Sequence, residues 1–483
     1  MNRLRVIAAP GFALILLALL FPAAGKCSGL DDIEFSSDIR LRWRWVDSGS
    51  PGPLRSTYGE AIQRGISLKH RFIFELEYPL SAELRIGGLV RASNEPQLVL
   101  RAGPEYYSSE FGSAFISYDT PWLTSRFGYF ETYCTPLTLM RWDLKDDAEG
   151  GGCQVCGVSV GTAGAILGES LEMLGPVLTF EGIKAAAFGG DLLGLDVFYA
   201  RPRVAYENEF GSMSRQLNTF GARLDLSTYI SRASDLMKVG LIAMTTKEDD
   251  GSVESLEGPP AYPPKPFTYS IYGLSLQAPI LRWLSLTGEA NMTRASEWEL
   301  VDPKDMDGVL VDRDGKGALG SLDVKAGAVN FETAYIYLTP DWKSFFRALS
   351  YSPDRKGPRF RLTVERGTWL FSVFARDLVT VNRISETERE AYRTWSLQAS
   401  YKPRTGMSFS GSVVYTGLGS KDGAFDYTES GRLYSYVFSA VIEIARDTRL
   451  IIEDRYLHNR DYRVPEFNYE ANMLSLFLKA AIW

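Results

Sequence analysis

Histidine is scarce in this chain of 483 residues, in which only His70 and His458 occur. A serine-type hydrolytic site needs a histidine that an amide or acid orients and that lies beside an exposed serine. Asn459 directly follows His458, but neighbouring residues of a strand point to opposite faces. We therefore expect no catalytic residue and no enzymatic activity, and we interpret both histidines as ordinary interface residues.

Three of the four cysteines, Cys134, Cys153 and Cys156, lie close together in one segment. The last two form a C-x-x-C pair, which could serve as a redox pair, a metal site or a haem attachment point. Haem attachment needs a histidine where Gly157 stands, and no second C-x-x-C is present to complete a zinc site. The segment predicts a loop-tying disulfide from Cys134 to Cys153 or Cys156, with no metal and no cofactor.

The segment from Ala295 to Ala318 is rich in aspartate and raises the question of a calcium loop. An EF-hand needs a further acid ahead of its glycine and a glutamate after it, and the spacing here provides neither. We interpret the segment as a solvated acidic external loop. Its acids are Asp302, Asp305, Asp307, Asp312 and Asp314.

The first 25 residues have the order of a secretory signal peptide. Arg3 and Arg5 precede an apolar run, which small residues follow. The run is short for a membrane-spanning helix, and Lys26 stands where lipidation of Cys27 would need a small residue. Removal of residues 1–25 lowers the formal net charge from −7 to −9, which argues against nucleic acid as a partner.

Apolar and polar residues alternate with a period of two along most of the remaining chain, which indicates β-strands. The alternation is clearest in residues 38–45, 66–78 and 83–91, where charged residues occupy one face. No later window approaches the uninterrupted apolar length of a transmembrane helix. The alternating segments run for about 8 to 13 residues, close to what a tilted strand needs to cross a bilayer.

The connections between these segments alternate in length. Short ones are expected at Pro79–Ser81, Asp119–Leu123, Pro403–Gly406 and Ala445–Thr448; long ones are expected at Asp47–Arg64, Ser93–Glu110, Lys247–Pro266, Ala295–Val324 and Gly417–Arg432. This alternation predicts an all-β chain that forms a transmembrane antiparallel β-barrel over residues 26–483. It predicts about 20 strands, or about 18 if residues 345–374 contain fewer crossings.

The mature chain resembles large monomeric porin-like barrels of the bacterial outer membrane, including the alginate-export type. The resemblance is carried by the strands "DIRLRWRWV" and "LKHRF", the many long loops and the terminal aromatic Trp483. It implies short periplasmic turns, long external loops and passive diffusion or export through a lumen of charged side chains. It also implies a loop folded into the pore, for which the long segment 132–177 is the candidate.

The terminal aromatic implies recognition by the barrel-assembly machinery. In the signature of such barrels apolar residues share the phase of the final aromatic, whereas here Lys479 holds that phase. A bulge near Ala480 and Ala481 would restore the pattern.

Charged residues on the polar face of the first three strands form a basic patch that would line a pore. Its members are Arg40, Arg42, Arg44, Lys69, Arg71, Arg85 and Arg91, and the candidate constriction-loop acids are Asp143, Asp146, Asp147 and Glu149. Opposed charges across a pore select permeating solutes by charge and dipole. The alternative is a salt-bridged wall in which Glu75, Glu77 and Glu83 neutralise the patch.

We therefore expect an outer-membrane porin-type channel, with membrane lipid and small hydrophilic solutes as its partners. A partner-binding barrel, such as the sheath of a porin–cytochrome conduit, and a polysaccharide-export barrel remain as alternatives. The solute, the direction of flow and the oligomeric state do not follow from the sequence.

Overall fold

The structure is a computed structural model, and within the part of the chain that it describes nearly every residue belongs to a β-strand. The described residues are 34–48, 54–55, 61–62, 65–93, 108–131, 179–202, 205–208, 211–214, 217–229, 236–248, 268–302, 307–342, 354–382, 388–422 and 426–482. A short 3-10 helix, Pro465–Phe467, interrupts the strands near the end. Across these residues we find no helix with the length and apolarity to cross a membrane.

Within the described residues, twenty strands form one antiparallel sheet, and two small hairpins lie outside it. The hairpins are β2 (Leu54–Arg55) with β3 (Ala61–Ile62), and β10 (Ala205–Asn208) with β11 (Gly211–Ser214). The first half of the sheet comprises β1 (Glu34–Asp47), β4 (Gly65–Pro79), β5 (Leu84–Ser93), β6 (Ser108–Asp119), β7 (Leu123–Glu131), β8 (Thr179–Gly189), β9 (Leu193–Pro202), β12 (Leu217–Tyr229), β13 (Leu236–Glu248) and β14 (Thr268–Leu281). The second half comprises β15 (Leu284–Asp302), β16 (Asp307–Ala326), β17 (Val329–Leu338), β18 (Arg355–Arg366), β19 (Trp369–Val379), β20 (Glu388–Arg404), β21 (Met407–Asp422), β22 (Asp426–Ala445), β23 (Thr448–Asp461) and β24 (Tyr469–Ile482).

Every strand of this sheet pairs on both sides. Strands that are consecutive in the sheet's chain order are neighbours, with β1 beside β4 and β9 beside β12 where the small hairpins intervene. The first strand also pairs with the last, from Ser37 opposite Ile482 to Asp47 opposite Asn472. The pairings thus run around all twenty strands and return to β1, so the ring of strands leaves no unpaired edge.

The strand number agrees with the larger of the two predicted values. Residues 345–374, where the crossings were in question, contain β18 and the greater part of β19. The four predicted short connections are turns, as at Arg446 and Asp447 between β22 and β23. Asp447 has a φ of 60°, in the left-handed region that such tight turns use. These short turns lie at one end of the ring. The connections that alternate with them lie at the other end, and we call this the outer end.

Two predicted long loops are wrong, because Ala295–Val324 and Gly417–Arg432 consist mainly of paired strand residues. The hairpin of β15 and β16 continues beyond the ring, since β17 pairs with β16 only from Gly317 onwards. At the base of this extension Ser296 and Arg294, which still pair with β14, donate hydrogen bonds to Asp312 at 2.5 and 3.2 Å. Paired strands with polar cross-strand contacts therefore stand where a loop was expected. The hydrogen bond from Ser296 lowers the pKa of Asp312 most, and the one from Arg294 lowers it further.

The two faces of the ring differ as the alternation predicts. Large apolar side chains on the outward face are exposed, among them Leu397 at 51% and Phe438 at 55%. Aromatic rings stack along both ends of this face: Trp369 on Tyr401 at 4.6 Å near the short turns, and Trp395 on Tyr415 at 5.4 Å nearer the outer end. An apolar outer band between two aromatic girdles is typical of strands that face lipid.

The last strand pairs without interruption up to its end. Ala480 and Ala481 keep their register with β1, so the predicted bulge is wrong. The phase of the strand is explained by its neighbours: Met473, Ser475 and Phe477 are buried on the inward face, and Lys479 shares their parity. Lys479 is therefore an inward residue of the ring wall.

Candidate permeation site

The interior of the ring is where the predicted basic positions meet. The register places Arg40 opposite Arg71, and Arg42 opposite Lys69, on the inward parity of β1 and β4. Arg44 of β1, and Arg85 and Arg91 of β5, share that parity on their strands. Of the seven predicted cations only the Arg85 side chain lies within the described part, so the others are placed by backbone register alone.

The register extends this patch in a direction that the sequence interpretation missed. Arg449 of β23 faces Lys479 of β24, Lys479 faces Arg40, and Arg40 faces Arg71. We call these four directly opposed cations the basic row. Like charges directly opposite one another repel and favour an anionic group between them. The sequence signal was Lys479 itself, a cation in the phase where the terminal strand should be apolar.

Beside the basic row the wall contains salt bridges. Arg85 lies 3.5 Å from Glu77 and 3.7 Å from Glu34, and Arg126 lies 3.2 Å from Glu75. These pairs are partly exposed, so their charges are screened and each pair is close to neutral. Glu83 lies outside this network, in the turn before β5. Glu443 of β22 directly faces Arg449, so the basic row ends against an acid on that side.

A pocket of about 440 Å³ opens on the inward wall between β12 and β18. Two ion pairs hold its ends: Arg223 with Asp225 at 2.9 Å, and Arg359 with Glu332. Four carboxylates and three cations line it: Asp225, Glu289, Asp323, Glu332, Arg223, Lys238 and Arg359. Acid therefore exceeds base, and we call this surface the acidic pocket.

The basic row and the acidic pocket lie on opposite sides of the ring. Strands β5 to β9 separate them in one direction and β19 to β22 in the other. Lys479, Asp323 and Glu332 each lie a few residues from the short-turn end of their strands, so the two surfaces share a similar depth.

The loop acids Asp143, Asp146, Asp147 and Glu149, and the cysteines Cys134, Cys153 and Cys156, lie outside the described residues. Among the described residues no group of histidine, cysteine and carboxylate side chains is arranged to hold a metal ion.

His458 lies on the outward face, where its hydrogen-bond partners among the described residues are Glu470 and Arg460 rather than a serine. Its Nδ1 is 3.1 Å from a Glu470 carboxylate oxygen, and its Nε2 accepts a hydrogen bond from Arg460. Asn459 is fully buried on the inward face, as strand alternation predicts. The arrangement is an outward polar network rather than the oriented pair that nucleophilic catalysis needs.

No protein-family model matches the chain, and no curated protein matches its sequence. Solved structures match its fold. The outer membrane protein OpdK from Pseudomonas aeruginosa is 11% identical with a TM-score of 0.45, covering 93% of this chain and 99% of that chain. OccK5 (OpdH) from the same organism is 11% identical with a TM-score of 0.45, covering 95% and 100%. A BenF-like porin from Pseudomonas fluorescens Pf-5 is 10% identical with a TM-score of 0.44, covering 93% and 99%.

Proposed function

We propose that the chain is a porin-type channel of the bacterial outer membrane, through which small hydrophilic solutes diffuse passively. One observation carries the proposal: the ring of twenty strands exposes large apolar side chains on its outward face, and its inward face carries ion pairs beside buried apolar side chains. A soluble two-sheet protein would bury its apolar faces against each other, whereas here the large apolar side chains point away from the ring. Lipid on the outside and water on the inside satisfy both faces.

The inward charges give this channel a preferred orientation for dipolar solutes. Negative groups move along the basic row, which continues into Arg42, Arg44 and Lys69, and positive groups move along the acidic pocket. Charges that line a narrow aqueous path act through a lower effective dielectric constant than bulk water. The channel therefore favours solutes that carry an anionic group, most of all those that also carry a cationic one.

The long segment 132–177 belongs to the same proposal as the constriction loop. Asp143, Asp146, Asp147 and Glu149 add acid to the path, and a disulfide from Cys134 to Cys153 or Cys156 ties the loop. Peptide mapping without reductant should recover crosslinked fragments that contain Cys134. Three free thiols in the purified protein would rule out this disulfide.

The channel is tested by single-channel recording of the purified protein in planar bilayers. Stepwise conductance with ohmic behaviour supports a diffusion pore. The proposal is overturned if a protein that shows heat-modifiable migration on gels gives no stepwise conductance. Heat-modifiable migration is the necessary control, because it reports the folded ring independently of conduction.

A further inference from the structure

The connection that leaves β17 turns into the ring, where Trp342 is completely buried. Its backbone lies against the inward side of β16 at Gly315, where an added Cβ would meet the Trp342 Cα at 2.2 Å. The indole lies over Gly317, where an added Cβ would meet Nε1 at 2.6 Å. Gly315 and Gly317 have the same parity, so the wall lacks two successive inward side chains where the tryptophan packs.

Hydrogen bonds fix this position on both sides of the indole. Trp342 Nε1 donates to Asn291 Oδ1 at 2.8 Å. The hydroxyl of Thr339 accepts from the Lys316 backbone N–H at 2.8 Å, and Arg313 donates to Asp341 at 3.0 Å. A buried indole with a satisfied N–H combines a large apolar contact with a directional bond, so it defines a single position for the residue.

The anchor also touches the acidic pocket. Asn291, which accepts the indole N–H, donates through its amide nitrogen to the Glu289 carboxylate at 3.4 Å. Glu289 is one of the four carboxylates of the pocket. On the lumen side Asp341 and Arg313 remain partly exposed, at 41% and 37%, so this ion pair forms the surface that a solute meets at this level.

We propose that Trp342 is a positioning residue of the channel: it anchors the start of the β17–β18 connection inside the lumen, narrows the path there and holds Asn291 against Glu289. The inference rests on the proposed channel function and assigns the width of the path near its outer end to one side chain. Gly315 and Gly317 are the matching half of the anchor, because a larger residue would displace the Trp342 backbone at position 315 and the indole at position 317.

Single-channel recording of Trp342→Ala tests the width. Release of the connection from the wall should raise the open conductance roughly 1.2- to 1.5-fold, because the freed segment no longer holds Asp341 and Arg313 in the path. Gly317→Val, which keeps the tryptophan but occupies its place, should give the same increase. Trp395→Ala is the matched control, since Trp395 is an outward tryptophan at the aromatic girdle. Conductance in both lumen variants equal to that of the control would overturn the anchor.

A second readout does not depend on conduction. Lys343 directly follows the anchor in the sequence, so trypsin added to the folded protein reports whether Trp342 holds the connection. Cleavage after Lys343 should be faster in Trp342→Ala and Gly317→Val than in Trp395→Ala. Trp342→Phe, which keeps an aromatic ring and loses the N–H, should give an intermediate rate and serves if the alanine variant does not fold. Equal rates in all variants refute the anchor, whereas faster cleavage in a protein without conductance refutes only the channel.

Discussion

The basic row predicts the charge preference of the channel, and the perturbation that tests it is the triple replacement Arg40→Ser, Arg42→Ser and Arg44→Ser. Arg40 is one of the four cations of the basic row, and Arg42 and Arg44 continue from it along β1. The replacement therefore removes one member of the row and the two arginines beside it. We expect the reversal potential in a salt gradient to move toward cation preference.

The size of the effect follows from the distances within the row. Successive inward residues of one strand lie about 6.8 Å apart, so an ion that passes along this wall at about 6 Å is nearest to one of these charges at a time. At that distance a unit charge in a water-like dielectric contributes roughly 0.7 kcal/mol, or about 0.4 kcal/mol after screening at 0.1 M salt. The energy has opposite sign for anion and cation, so the nearest arginine changes their permeability ratio roughly three- to fourfold.

The two arginines beside the nearest one lie about 9 Å from the ion and contribute about 0.2 kcal/mol each. The three together should therefore lower the anion-to-cation ratio roughly tenfold, which moves the reversal potential by tens of millivolts in a tenfold gradient of KCl. At 1 M salt the screening length falls to about 3 Å, and the shift should nearly vanish. The matched control is Arg223→Ser with Asp225→Ser, which removes a lumen ion pair of zero net charge. An unchanged reversal potential in the triple variant at 0.1 M would mean that the row is neutralised and that the reasoning is wrong.

The other predictions concern the opposite wall, the outer hairpin and the N-terminus. Glu289→Gln with Asp323→Asn should shift the reversal potential toward anion preference, measured in the same gradient, and a shift in the other direction would contradict the acidic pocket. Because the pKa of Asp312 is lowered, its ionised carboxylate stabilises the β15–β16 extension at pH values above the usual pKa of an aspartate. This stabilisation is lost as the pH falls through the lowered pKa. Amide exchange of the extension should therefore be faster in Asp312→Asn at pH 7, and equal rates there would contradict it. Mass analysis of the mature protein should find its N-terminus close to Lys26, and an intact first residue in the membrane fraction would exclude cleavage.

The fold was predictable because the period-two pattern is local. Residues 38–45 and 66–78 show the inward and outward parity of β1 and β4 directly, and short turns such as that at Asp447 follow from the breaks between alternating runs. The extension of β15 and β16 was missed because its strands carry Asp312 and Asp314 on the outward parity, where the apolar signal of a membrane strand is absent. Hydrogen bonds between the two strands stabilise this hairpin, and the alternation of apolar and polar residues does not reveal them.

The site was predictable only in part, because its halves come from distant sequence. Alternation on the first strands identifies Arg40, but only the closure of the ring places Arg449 and Lys479 beside it. The acidic pocket needs the register of seven strands, since its carboxylates are isolated residues in the sequence. Trp342 offered no periodic signal, and its partners Gly315 and Gly317 become meaningful only once their shared inward parity is known.

The pairing of the first strand with the last also determines how the chain can be assembled. The side chain of Ser48 donates a hydrogen bond to the carbonyl of Glu470, 422 residues away. During synthesis β1 exists long before its second partner does, and until β24 arrives both β1 and β23 present unpaired edges that invite pairing with other chains. The ring is therefore completed in one late step. A chain that ends before β24 would lack a neighbour for two strands at once, so truncation there should cause aggregation rather than a slightly smaller pore.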